Sequence, residues 1–214
     1  LSMVTDPHQL PHLALLEDDE HQKFFDSHPR MLPLHKVMAD AKEAFDAASL
    51  FPVIADVVDD NKGRIQALPL ALSVPVLFYN KDTFRKAKLD PAKPPITWWE
   101  LQTAAGKVYD IDRRCPFTSS NPAWVLMENV ATQHGEPIAH AEQSGKTGLA
   151  LNNLVEVKHV ALLASWHKSF YFRTFGPGRE ADEKFMSGEC SMLTSDSSLY
   201  LRLLRRKPFD FGVA

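Results

Sequence analysis

The residues best equipped for chemistry lie in a few short stretches. Glu17-Asp18-Asp19-Glu20-His21 sets carboxylates beside an imidazole, a donor set that could hold a metal ion. A metal-dependent hydrolase using Asp19, Glu20 and His21 is one reading, and a solvated loop between a strand and a helix is the other. No second cluster stands at a metal-ligand spacing, and no nucleophile is paired with a base. Thr194-Ser195-Asp196-Ser197-Ser198 puts hydroxyls just ahead of an amphipathic run from Leu199 to Arg206. Hydroxyls and free amides at a helix start suit an anion, although the same residues could simply cap the helix. Gly145-Lys146-Thr147 suggests a phosphate loop, but the earlier glycine is missing and no strand is expected to lead in. Trp98-Trp99 could stack on a sugar or fill a core.

These groups sit in a chain of ordinary globular composition. Its 214 residues are 44% hydrophobic and 24% charged, enough for a sizeable core. A net charge of −3 gives no basic footprint, so no nucleic-acid partner is expected. No apolar run reaches the roughly 18 residues of a membrane span, and the first residues lack the pattern of a signal peptide. The two cysteines, Cys115 and Cys190, show no CxxC spacing and do not by themselves name a compartment. No cofactor is implied.

The elements that must position the candidate residues follow from pattern. Leu13 to Leu16 is strand-like. The central run from Gly63 to Asp82 is almost uncharged but is broken by Pro69 and Pro75, which cannot donate to a ladder. It therefore reads as two extended pieces with a bend near Ser73, and Val76 to Tyr79 as a buried strand. Asp82 is placed to cap a helix from Thr83. Thr97-x-x-Glu100 has the form of a capping box opening a helix from Trp98 to about Lys107. Cys115 to Ser120 reads as a strand running into a loop, and Pro122-Ala123-Trp124 as a helix start. In the helix from Leu154 to Lys168, Val157, Val160, Ala161 and Ala164 share one face, which leaves Lys158, His159 and Lys168 toward solvent. A helix from Arg179 to Met186 is anchored by Phe185 and stopped at Gly188. Phe209 to Val213 closes the chain as a strand.

The run Ser73-Val74-Pro75-Val76-Leu77-Phe78-Tyr79-Asn80-Lys81-Asp82, with Leu89-Asp90-Pro91 and Pro94-Pro95-Ile96-Thr97-Trp98 after it, resembles the solute-binding proteins of bacterial ABC importers. The likeness is to their glycerol-3-phosphate-binding branch. It resumes in Phe185-Met186-Ser187-Gly188-Glu189-Cys190-Ser191-Met192. It implies an α/β, two-lobe periplasmic-binding-protein type II fold with an incomplete first lobe. Residues 1–72 would be a partial N-terminal lobe ending at the hinge, and 73–214 the C-terminal lobe. The implied function is capture of glycerol-3-phosphate or a related glycerophosphodiester in an interlobe cleft by hinge closure, followed by docking on a membrane permease. A sugar- or oligosaccharide-binding relative is the alternative. The implied location is the periplasm, and weak binding is expected of these residues alone.

Carried over position by position, the resemblance places Asp19 on a glutamate that contacts the ligand's glycerol hydroxyls. Ser73 at the hinge and Ser197 at the helix start become phosphate ligands, and Trp124 a wall of the pocket. Asn121 stands where the family has a second tryptophan. Asp196 and Ser198 replace a serine and a glycine of the phosphate turn. The family also has cysteines at the positions of Cys115 and Cys190, implying a disulfide, with a pair of buried thiols as the alternative.

Overall fold

The computed structural model describes residues 12–16, 27–28, 31–44, 46, 49–60, 62–141 and 147–214. The chain divides into two compact units, Leu1–Leu72 and Ser73–Ala214.

In the first unit, α1 (Leu34–Ala41) follows Pro33 and ends at Lys42, whose left-handed backbone turns its amide back onto Ala39 and Met38 carbonyls. Ahead of α2 (Pro52–Val58), Pro52 takes a first-turn position where no amide is needed. Asp59 and Ile65 then form a single bridge around a tight turn. Asp60 holds that turn by accepting hydrogen bonds from the Lys62 and Arg64 amides at 3.1 and 3.2 Å. The Arg64 guanidinium beside it lowers the Asp60 carboxyl to about 2. Residues 13–16 belong to no strand, contrary to the sequence pattern. Of the two extended pieces expected between Gly63 and Asp82, only the second enters a sheet.

The second unit is built on a mixed five-stranded sheet, ordered β5-β2-β6-β1-β7. Its strands are β1 (Pro75–Asn80), β2 (Cys115–Ser119), β5 (Phe172–Arg173), β6 (Cys190–Asp196) and β7 (Phe211–Val213). β2 runs parallel to β5 and β6, whereas β1 is antiparallel to β6 and β7. A separate hairpin pairs β3 (Ala139–Ala141) with β4 (Thr147–Leu149). A short strand thus does precede Gly145, against expectation, but it leads to a hairpin partner rather than to a helix.

Strand alternation divides the core between the two sheet faces. Leu77, Tyr79, Phe117 and Met192 point to one side, where they meet Leu101, Ala104 and Ala105 of α4 (Trp98–Ile111) and Trp166 of α6 (Leu154–Lys168). Phe78 and Leu193 point to the other and meet Phe185 of α7 (Glu180–Met186) with Leu199 and Leu203 of α8 (Leu199–Arg206). The unit is therefore a sheet with helices on both faces. At the sheet edge Gly212 lies beneath the Tyr79 ring, where there is no room for a Cβ.

Local signals explain most helix starts. Thr97 and Glu100 form the expected capping box of α4, which extends four residues beyond Lys107 to Ile111. In α3 (Lys81–Lys86) the cap is Asn80, whose side chain accepts the Thr83 amide at 3.0 Å. Asp82 instead sits in the first turn, paired with Arg85, so the expected Asp82 cap is corrected. After β2 the chain enters π-helical Ala123–Glu128 and continues directly into α5 (Asn129–Gln133).

The expected inner face of α6 is corrected, although Lys158 and Lys168 are exposed as expected. Val157 and Val160 are 53% and 47% exposed, while Glu156 is fully buried and His159 only 6% exposed. The outcome follows from bulk: Trp166 and the partly buried Leu162 and Leu163 fill the space over the sheet, and their face carries Glu156 and His159 inward. Among the described residues, neither Glu156 oxygen nor Nε2 of His159 has a hydrogen-bond partner. Burial raises the Glu156 carboxyl above its ordinary range. Burial first, and then the nearby His134, lower the His159 imidazole.

Candidate functional site

The parallel strands β2 and β6 end side by side, with Ser119 opposite Thr194. β1, running the other way, begins beside them, with Pro75 opposite Asp196. Three loops and the start of α8 therefore gather at one edge of the sheet, the usual place for a ligand in an open α/β sheet.

Ser73 and Ser197 are drawn together at this edge through one intervening residue. The Val74 amide donates to Ser197 Oγ at 3.2 Å, and the Ser197 amide donates to the Val74 carbonyl at 2.8 Å. Ser73 itself is exposed at the lead-in to β1. Ser197 is half-buried in the turn before α8, and Thr194 to Asp196, expected as part of that turn, still belong to β6.

Trp124 lies on the first turn of the π-helical segment, three residues after Asn121. It is partly buried against the cluster that contains Leu101 and Trp166, on the face of the sheet opposite α7 and α8. Asn121 adopts a left-handed backbone with φ of 45°, and its amide donates to the Gly178 carbonyl at 2.7 Å. Asparagine tolerates that conformation far better than a bulky aromatic residue does. Trp98 packs edge-on against His159 at 4.7 Å between ring centroids, whereas Trp99 is exposed, so the pair forms no shared platform.

Two residues that sequence reading passed over organise the edge. Asp182, fully buried on α7, accepts hydrogen bonds from Ser120 Oγ at 2.7 Å and Ser195 Oγ at 2.9 Å. It also pairs with Arg179 Nε at 3.0 Å and Arg202 Nη1 at 3.3 Å. One carboxylate thereby ties the ends of β2 and β6 to both helices on that face. Arg179 then reaches Asp196, with Nη2 3.0 Å from Oδ2. Asp196 also accepts the Ser198 amide at 2.9 Å and the Ser198 hydroxyl. An arginine three residues before an aspartate is the only sequence signal for this pair, and it is common in any helix start.

Cys115 and Cys190 form a disulfide. They stand directly opposite each other on β2 and β6, at the far end of the strands from the serines, and both are buried. Asp19, Glu20 and His21 lie outside the described residues. Among the described residues no group of three or more histidine, cysteine or acidic side chains is placed to hold a metal, and no helix is long and apolar enough to cross a membrane.

A family model described as bacterial extracellular solute-binding protein matches residues 22–212. The chain is 36% identical over 186 residues to the sn-glycerol-3-phosphate-binding periplasmic protein UgpB of Yersinia pestis, covering 85% of this chain and 42% of that protein. The protein of the same name from Salmonella typhimurium (strain LT2) matches with the same identity and coverage. The chain thus spans less than half the length of these curated relatives. Among solved structures, UgpB from Mycobacterium tuberculosis in complex with glycerophosphocholine superimposes with a TM-score of 0.68 at 17% identity, over 89% of this chain and 47% of that one. The cyclic alpha-maltosyl-1,6-maltose binding protein from Arthrobacter globiformis gives 0.68 at 18% identity, over 91% of this chain and 48% of that one. These likenesses establish the periplasmic solute-binding α/β fold.

Proposed function

The chain belongs to the bacterial extracellular solute-binding proteins, and on that premise we propose that it is part of the solute receptor of an ABC importer for glycerol-3-phosphate or a related glycerophosphodiester. The observation that carries the reading is the juxtaposition of Ser73 and Ser197 through Val74 at the start of α8. Their hydroxyls, with amides at a helix N-terminus, are suited to the oxygens of a phosphate ester. Trp124, on the helix that follows β2, is proposed as an apolar wall of the pocket, and Asp19 is proposed to receive the glycerol hydroxyls.

The work is binding rather than catalysis. Capture by hydrogen bonds, closure of a lobe about the hinge and delivery to a membrane permease need no bond to break. Residues 1–72 are proposed as part of the N-terminal lobe and 73–214 as the C-terminal lobe. A periplasmic location fits the relatives' names and the disulfide.

Isothermal titration of glycerol-3-phosphate, glycerophosphoglycerol and maltose into the chain tests the proposal. Weak but saturable binding of a glycerol phosphate, weakened further by Ser73→Ala, is the expected result. Preference for maltose over both phosphates would overturn it in favour of a sugar receptor.

A further inference from the structure

We propose that Asn129 is a positioning residue for Trp124: its side chain holds the widened helical turn that aims the tryptophan, and so sets how tightly the ligand's carbon skeleton is held. The inference rests on the reading of Trp124 as a wall of the glycerol phosphate pocket. Burial along the segment imposes the wide turn. Two apolar pairs, Val125-Leu126 and Val130-Ala131, are buried five residues apart. At about 100° per residue, an α-helix would set such pairs about 140° out of line. One extra residue in the turn brings both onto the core, and Ala123–Glu128 is π-helical.

The same extra residue brings Asn129 round to Trp124. The Asn129 amide donates to the Trp124 carbonyl, five residues back, and Asn129 Nδ2 donates to that carbonyl again at 2.7 Å. Just before it the spacing is the ordinary four, with the Val125 amide donating to the Asn121 carbonyl at 2.9 Å. Thr132 Oγ1 on the Glu128 carbonyl at 2.7 Å, and His134 Nδ1 on that of Val130 at 2.8 Å, also span four residues. The wide turn therefore opens at Trp124 and is fastened there by one side chain. In an α-helix the Asn129 amide would move to the Val125 carbonyl, and residues before the turn would rotate about 100° relative to those after it. With Val130 and Ala131 fixed in the core, that rotation would fall on Trp124, the one aromatic ring the π-helical segment carries. Wide turns of this kind recur at functional sites.

The test titrates glycerol-3-phosphate into the unaltered chain, Asn129→Leu, Trp124→Ala and the double variant. Asn129→Leu keeps the size of the side chain and removes its donor. It is expected to weaken binding about fourfold, the worth of one buried methylene contact. Trp124→Ala should weaken binding at least as much. In the double variant the loss should equal that of Trp124→Ala alone, because Asn129 acts only through the ring. If Asn129→Leu does not fold, NMR of the unaltered chain decides: the Asn129 side-chain amide signal should shift in step with the Trp124 indole signal during the titration. Losses that add in the double variant, full affinity in a folded Asn129→Leu, or an Asn129 signal that stays fixed while that of Trp124 moves overturn the inference alone. A Trp124→Ala chain that binds as before overturns the placement of Trp124 together with the inference. Absence of binding to the unaltered chain overturns the glycerol phosphate function, and the inference with it.

Discussion

Ser197 and Val74, 123 residues apart in sequence, exchange two hydrogen bonds at the edge of the sheet. The exchange makes Ser197 both a structural clasp and a ligand candidate, whereas Ser73 next door is exposed and makes no such tie. The two serines should therefore respond differently to loss of the hydroxyl. Ser197→Ala is expected to lower stability by about 1 kcal/mol, the net worth of one hydrogen bond, and to weaken binding as well. Ser73→Ala should weaken binding and leave the unfolding midpoint unchanged. Parallel urea unfolding and titration calorimetry would separate them, and identical profiles would refute the distinction.

Asp182 should be the most sensitive polar position in the second unit. Replacing it with alanine leaves the buried Ser120 and Ser195 hydroxyls without their acceptor, while Arg179 and Arg202 keep Asp196 and Glu183 as partners. Loss of about 2–5 kcal/mol is expected in urea unfolding, chiefly from two buried hydroxyls left unsatisfied. A loss below 1 kcal/mol would show that the network is not what binds the strand ends to α7 and α8.

The Cys115–Cys190 bond closes a loop across a sequence separation of 75 residues. Constraint of the unfolded chain over that length is worth about 4 kcal/mol in the loop-closure picture. A Cys115→Ala, Cys190→Ala double variant should unfold at clearly lower denaturant. Since the bond sits at the opposite end of the strands from Ser119 and Thr194, ligand affinity in the still-folded variant should change little.

Glu156 and His159 give stability a pH dependence of opposing signs. The folded-state carboxyl of Glu156 lies above its ordinary 4.5, so its contribution is complete below that value and is lost as the pH rises through the raised one. The His159 imidazole lies below its ordinary 6.5, so its contribution is present above that value and is lost as the pH falls. Glu156→Gln should raise the melting temperature at pH 8 and do so much less at pH 4. A gain that does not vary with pH would mean that the carboxyl finds a partner in solution.

Much of the scaffold was legible because its signals are local. Thr97 and Glu100 marked the start of α4, Gly188 the end of α7, and the limits of α6 matched Leu154 and Lys168. The orientation of α6 was not, because four small or β-branched residues outvoted one tryptophan in the pattern, whereas in the folded unit the bulk of Trp166 dominates. Asn80 and Asp82 are both good caps by type, and Asn80 takes the role because β1 ends there and α3 starts at Lys81. Ser73 and Trp124 came from family resemblance rather than from residue chemistry, and for Ser197 the resemblance singled out one hydroxyl of a run already suited to an anion. Arg179 and Asp182 escaped because each partner they serve lies on a different element, a relationship that spacing along one helix cannot disclose.

The first and last strands of the second unit also set how it would respond to mechanical load. β1 and β7 pair antiparallel, Phe78 opposite Val213, and Leu77 and Ala214 exchange hydrogen bonds at 2.8 and 2.9 Å. Pro75 and Ala214 thus lie at the same end of one strand pair. A force separating those two points would open the ladder like a zipper, breaking bonds singly, whereas opposed ends would load them all in shear. The β1–β7 seam is where the unit should yield first under tension, with the disulfide-bonded β2–β6 pair holding after it has parted.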